Sequence, residues 1–133
     1  MTTRLRTLRR GLLDLHKLLL DDQRDAYEAS YGPVVSGHAF LQLALHHEQF
    51  AWLRALSGMI SRIDAALDEA EGEVSDAEVR AFLGAARDLL RSGGDGPFET
   101  KYREALQRSP HVVMAHAAVV RVLDVPAAGR NGR

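Results

Sequence analysis

Apolar residues in the first part of this chain recur at the three- and four-residue spacing of an α-helix. The pattern predicts a helix from about Arg4 to Ser30, which Gly32 and Pro33 end because glycine favours a helix C-cap and proline cannot continue a helix. One apolar row contains Leu5, Leu8, Leu12, Leu15, Leu19 and Ala26, and a second contains Leu13, Leu20 and Tyr27. Between the rows, seven residues apart, lie Arg9, His16 and Gln23.

The segment from Ser36 to Glu69 contains the only tryptophan of the chain and no proline, and Ser36 is the predicted N-cap of its first helix. Its first part, residues 37–47, is apolar around most of a helix, so the pattern places this helix near the centre of the domain. An amphipathic helix over residues 49–70 is predicted alongside it, after a turn or kink at residues 46–49. We expect the core to be centred on Phe40, Leu45, Trp52, Leu56, Ile60 and Ile63.

The second half of the chain carries clear helix boundaries. Ser75 and Glu78 form a capping box that opens a helix to about Ser92. Pro97 and Pro110 fit the first turns of two further helices. Ser109 is the predicted cap of the second, which runs to about Asp124. Its valines would also suit a strand, but the chain offers no partner strand. The prediction is an all-α, single-domain bundle of five or six helices over residues 1–125, followed by a disordered tail, 126–133.

The composition narrows the class of protein. The chain is 46% hydrophobic and 26% charged, which is typical of a globular domain. A net charge of -1 argues against a nucleic-acid partner, and the lack of cysteine excludes disulfides and thiol chemistry. No apolar run is long enough for a membrane span, so the expected location is the cytoplasm. Four arginines in the first ten residues indicate either a solvated helix end or an anionic partner.

Two segments resemble parts of a group of small bacterial helical proteins. They are GPVVSGHAFLQLALHHEQFAWLRALSGMISRID (residues 32–64) and LQRSPHVVMAHA (residues 106–117). The resemblance implies a bacterial, single-domain helical protein and carries no activity or site residue. Members of the group often have Asp-Pro where this chain has His47 and Glu48, which favours a helix break at that point.

The familiar catalytic motifs are missing from the sequence. The glycine-rich residues 92–96 lack the ending of a phosphate-binding loop, and there is no nucleophile elbow or zinc-protease motif. No helix carries the side chains that read DNA bases. The sequence therefore predicts no catalytic residue, and an enzyme is less favoured than a non-enzymatic protein.

The histidines are the main candidates for chemistry. His38, His46 and His111 fall on polar positions, whereas His16, His47 and His116 each point inward from a different helix. If they converge, they could bind zinc, iron, haem or a small polar or hydrophobic ligand. The favoured alternative is that each lies at the rim of the core with its polar atoms hydrogen-bonded or in contact with water. The candidate ligand-binding residues are His16, Gln23, Tyr27, His47, Trp52, Tyr102 and His116, with His16 and His116 as candidate metal ligands.

Two functional hypotheses follow from these patterns. The preferred one is a non-enzymatic interaction module that forms a homodimer, because the second apolar row of the first helix could bind a partner subunit. The alternative is a helical bundle that binds a small molecule, metal or haem at an interior site of histidine and glutamine side chains.

Overall fold

The computed structural model describes residues 1–71, 73–91 and 93–124. Within these residues the chain forms α-helices and one 3-10 helix, without a strand. The helices are α1 (Thr2–Tyr31), α2 (Gly37–His46), α3 (Arg54–Glu69), α4 (Asp76–Arg91), α5 (Pro97–Arg108) and α6 (Pro110–Asp124), with the 3-10 helix Glu48–Leu53 between α2 and α3. The predicted all-α bundle is confirmed, including its valine-rich last helix. The predicted tail, 126–133, lies outside the described residues.

None of the helices in the described ranges has the length and apolar character needed to cross a bilayer. The helix starts follow the predicted caps. The Ser36 hydroxyl accepts a hydrogen bond from the Ala39 amide at 3.0 Å. Ser75 and Ser109 accept equivalent bonds from amides three residues ahead, at 3.2 and 3.3 Å. Each hydroxyl satisfies an amide that has no partner inside its helix.

Helix α1 forms the centre of the bundle. It packs against α6, α3, α4 and the 3-10 helix. Five of its leucines are completely buried: Leu5, Leu8, Leu12, Leu15 and Leu19. The second apolar row is also used inside the molecule, because Leu13, Leu20 and Tyr27 are partly buried against the same core.

Helices α1 and α6 approach each other closely at Gly11, and hydrogen bonds hold the C-terminal end of α6. A Cβ atom on Gly11 would lie 3.0 Å from the Val119 Cγ2 atom, so a glycine allows the two helices to approach. At the C-terminus of α6, Arg4 donates to the Val122 carbonyl at 2.9 Å, and Arg87 donates to the Leu123 carbonyl at 2.6 Å. Cationic donors at this end stabilise α6, because the last carbonyls of a helix lack partners within the helix.

The predicted central position of α2 is wrong. No residue of α2 is buried, and the helix packs chiefly on the 3-10 helix at one end of the bundle. Leu45, placed in the core by the sequence pattern, is 52% exposed, and Phe40 is only partly buried. An apolar circumference shows that a helix could be covered on several sides, but not that other elements cover it. The other four predicted core residues are buried: Trp52, Leu56, Ile60 and Ile63.

The predicted break after α2 is confirmed. His47 has an extended backbone, and its Nδ1 atom accepts a hydrogen bond from the Gln49 amide at 3.1 Å. The following residues form the 3-10 helix instead of the start of one long helix. This short element buries Phe50, Trp52 and Leu53, which turns the chain from exposed α2 into the core helix α3.

The revised core leads to a matched test with two leucine-to-alanine substitutions. We expect Leu15→Ala to lower the free energy of unfolding by about 2–5 kcal/mol, because Leu15 is completely buried. Leu45→Ala should change it by only about 0.5 kcal/mol, because half of that side chain is exposed. Urea denaturation measures both values, and equal losses would contradict the peripheral position of α2.

Candidate functional site

The clearest candidate site is a groove between α1 and α2, which we call the α1–α2 groove. Its volume is about 610 Å³, within the range of roughly 300–1,000 Å³ for small-molecule sites. It is lined by the last two turns of α1, residues 32–35, and one side of α2. Two of the predicted ligand-binding residues, Tyr27 and His47, line this groove.

The aromatic side chains beside the groove are arranged edge to face. The Tyr27 and His47 rings are 5.3 Å apart at 87°, and the Tyr31 and His47 rings are 6.0 Å apart at 66°. Tyr27 and Tyr31 lie side by side with ring centroids 4.8 Å apart. Behind them, Phe50 is 6.2 Å from Tyr27 and is almost completely buried. The groove therefore has an aromatic wall anchored on the core.

The loop of residues 32–35, which forms one side of the groove, is held against α1. The Val34 amide donates to the Glu28 carboxylate at 2.6 Å, and Arg24 donates to the Val34 carbonyl at 3.3 Å. The Arg24 guanidinium also lies 5.0 Å from the centre of the Phe40 ring, a cation–π contact between α1 and α2. Gly32 turns the chain with φ of 94°, a conformation that favours glycine. The shape of the groove is therefore set by contacts within the protein itself.

Trp52 lies away from this groove, beside a second cavity of about 720 Å³ that His47 also lines. The Trp52 ring packs 5.5 Å from the Phe98 ring and is 7% exposed. Its Nε1–H is buried and lacks a hydrogen-bond partner among the described residues. The structure therefore makes Trp52 chiefly a core residue, with one unpaired donor.

Tyr102 and His116 form a pair in a third place, between α5 and α6. The Tyr102 hydroxyl and the His116 Nδ1 atom are 2.6 Å apart. Burial raises the pKa of Tyr102. Burial, together with the nearby Arg91 cation, lowers the pKa of His116. A protonated phenol and a neutral imidazole therefore share one hydrogen bond, which gives the buried hydroxyl a partner.

The remaining two predicted site residues lie on α1. Gln23 is 4% exposed, and His16 is half-buried, with a pKa lowered by that burial. Neither lines the α1–α2 groove, the cavity beside Trp52 or the cavity beside Tyr102. The described part of the chain has no group of three or more His, Asp or Glu side chains that could hold a metal ion, so His16 and His116 share no such group.

The arginines near the N-terminus are partly used inside the molecule. Arg4 caps α6, as described above. Arg9, the first member of the polar line on α1, forms a salt bridge with Asp64 of α3. The two contacts give half of this arginine cluster a structural role in fastening α1 to its neighbours.

Sequence reasoning missed both the groove and the exposed side of α2. On that side, His38, Leu41, Gln42 and Leu45 are all exposed and recur at helical spacing; we call these four residues the α2 outer patch. A usable indication was present in the sequence, because residues 29–47 contain no Asp, Glu, Lys or Arg in a chain that is 26% charged. An uncharged segment of that length suits either a core or a binding surface.

No protein-family model matches this chain, and neither a curated protein nor a solved structure matches it at a significant level. The resemblance of residues 32–64 and 106–117 to small bacterial helical proteins therefore stays a prediction. The function has to be argued from the surfaces and cavities described above.

The lowered pKa values of His16 and His116 predict a pH dependence of stability. The unfolded chain binds protons at these sites at an ordinary pKa of about 6.5, whereas the folded protein resists protonation. The free energy of unfolding should therefore fall as the pH is lowered from about 7 to 5, and should be nearly flat above the unfolded pKa. Chemical denaturation of the protein and of a His16→Gln/His116→Gln variant measures this. An unchanged slope in the variant would contradict the assignment.

The unpaired Trp52 donor predicts a difference between two substitutions. Trp52→Ala should cost about 3–5 kcal/mol of unfolding free energy, because it removes a large buried ring. Trp52→Phe should cost clearly less, because it keeps an aromatic contact with Phe98 and removes a buried donor whose lack of a partner costs about 1–3 kcal/mol. Thermal or urea unfolding compares the two, and equal losses would argue against an unpaired donor.

Proposed function

We propose that the protein is a non-enzymatic interaction module that forms a homodimer through the α2 outer patch. The observation that supports this is the exposure of Leu41 and Leu45, at 53% and 52%, on adjacent turns of one helix. Completely burying an exposed leucine side chain contributes about 1.5–3 kcal/mol, and about half of each of these two side chains remains to be covered, so covering both contributes about as much as burying one leucine. Contiguous exposed apolar surface of this kind is typical of an interaction site.

A second copy of the chain is the partner that the charge pattern favours. In a two-fold dimer the same patch meets itself, so any formal charge on the patch would face an identical charge. The four side chains of the α2 outer patch carry none, because the charge-free segment 29–47 contains them. The Arg54 guanidinium lies at the edge of the patch, where it donates to the Leu45 carbonyl at 2.7 Å. The patch side chains themselves offer a strongly charged partner no complementary charge. The patch is therefore suited to self-association.

The structure changes the reason for expecting a dimer. The second apolar row of α1, which suggested a partner subunit in the sequence, packs inside the molecule against the core. Among the described residues, the exposed large apolar side chains are Leu41 and Leu45 on α2, Tyr31 at the end of α1, Val35 in the following loop, and Val113 and Met114 on α6. Leu41 and Leu45 are four residues apart on one face of a helix, whereas Val113 and Met114 are consecutive. The proposed interface accordingly moves from α1 to α2.

A catalytic role has less support from the described residues. The Tyr102 hydroxyl lies within hydrogen-bonding distance of the His116 Nδ1 atom, as a nucleophile does to its general base in a catalytic pair. However, burial raises the pKa of the phenol and lowers the pKa of the imidazole, so the hydroxyl keeps its proton and the base is weak. The pair is better explained as an internal hydrogen bond. The proposed setting remains the bacterial cytoplasm that the sequence patterns suggested.

The proposal is tested by the mass of the protein in solution. Light scattering at micromolar concentration should give about twice the chain mass of 14.7 kDa. The Leu41→Asp/Leu45→Asp variant should give the mass of one chain, because it would place four carboxylates in a symmetric apolar interface. Circular dichroism should show unchanged helix content, since both positions are exposed.

The matched control is Val113→Asp/Met114→Asp on α6, where the two side chains are 44% and 70% exposed. This variant carries the same added charge on a different surface and should remain a dimer. A wild-type protein that is monomeric throughout the micromolar range would overturn the proposal. Equal dissociation by both double variants would overturn the assignment to α2.

A further inference from the structure

The α1–α2 groove lies on a different side of α2 from most of the outer patch, and nothing in the proposed dimer requires it. The α2 residues that line it are Ala39, Gln42, Leu43 and His46. Of these, only Gln42 is shared with the outer patch, and Leu41 and Leu45 do not line the groove. From the geometry of the groove we infer that it binds a small, uncharged, ring-containing molecule that carries a hydrogen-bond acceptor.

The charges around the groove select a neutral ligand. The lining contains no Asp, Glu, Lys or Arg. Beside the loop, Arg24 and Glu28 form a salt bridge with each other at 3.7 Å. Both side chains also form hydrogen bonds with the Val34 backbone. A charged ligand would therefore lose hydration without gaining an opposite charge, a loss that apolar sites do not repay.

The walls of the groove select a ring. Tyr27, Tyr31 and His47 present aromatic faces and edges within 4.8–6.0 Å of one another. Leu43 and Val34 supply the aliphatic part of the lining. A flat ring can pack against an aromatic wall of this kind, and each such aromatic contact contributes about 0.5–1.5 kcal/mol beyond the area that it buries.

One polar group in the wall suits an acceptor on the ligand. His47 uses its Nδ1 atom to accept the Gln49 amide hydrogen. In the neutral ring the remaining proton is then on the Nε2 atom, which becomes a donor. Because the same hydrogen bond caps the 3-10 helix, the ring orientation is fixed before a ligand arrives, which reduces the entropy cost of binding.

Two fluorescent probes with one ring system provide the test. We use 5-(dimethylamino)naphthalene-1-sulfonamide, which is neutral and has sulfonyl oxygens as hydrogen-bond acceptors, and 5-(dimethylamino)naphthalene-1-sulfonate, in which the amide is replaced by an anionic oxygen. The neutral probe should bind with micromolar affinity, and the sulfonate should bind at least about tenfold more weakly because the groove offers no cation. No binding of the neutral probe at about 100 µM, or equal binding of both probes, would overturn the inference.

Substitutions on the two sides of α2 locate the bound probe. Ala39→Trp fills the groove and should weaken binding at least about tenfold, whereas the matched Leu41→Trp adds the same ring on the outer patch and should leave it unchanged. Tyr31→Ala removes one exposed wall and should weaken binding about two- to tenfold. If Ala39→Trp has no effect, or both tryptophan variants weaken binding equally, the groove is not the site.

The same probe separates this inference from the proposed dimer. The Leu41→Asp/Leu45→Asp variant leaves the groove lining intact. We expect it to bind the neutral probe with wild-type affinity, whatever its mass in light scattering. Loss of probe binding in this variant would place the probe at the outer patch and would overturn the groove assignment. Circular dichroism and urea denaturation of every variant exclude unfolding as the cause.

Discussion

The burial of one face of α1 is the constraint on which the rest of the structure depends. Five leucines, from Leu5 to Leu19, are completely buried on a single stripe, and four other elements pack around this helix. Because a helix apolar on one face gains most of its stability from covering that face, α3, α4, α6 and the 3-10 helix are positioned by α1. Gly11 sets how closely α6 can approach.

Polar contacts then fix the directions that apolar packing leaves free. Arg4 and Arg87 hold the C-terminus of α6, and the Arg9–Asp64 salt bridge fastens α1 to α3. Partly exposed ion pairs contribute little energy, typically about 0–1 kcal/mol each. Their value here is geometric, because they connect elements far apart in the sequence. Arg9 is the first of the three polar residues that interrupt the apolar face of α1. Its salt bridge with Asp64 on α3 explains why a polar residue occupies that position.

The two surfaces that we propose for binding lie where this packing ends. Helix α2 follows the turn at Gly32 and is attached to the body chiefly through the 3-10 helix and the Arg24–Phe40 contact. Its position leaves one side exposed and places another side beside the last turns of α1. The charge-free segment 29–47 therefore supplies both the α2 outer patch and much of the α1–α2 groove.

The sequence by itself determined the local structure, because caps, prolines and helical spacing act within a few residues. Ser36, Ser75 and Ser109 begin helices as predicted, and the break at His47 follows from the same local chemistry. Only the tertiary structure decided which apolar faces are covered, since that depends on elements distant in the chain. For this reason Leu45 is exposed although its helix is strongly apolar, and Tyr102 and His116 pair with each other instead of meeting His47.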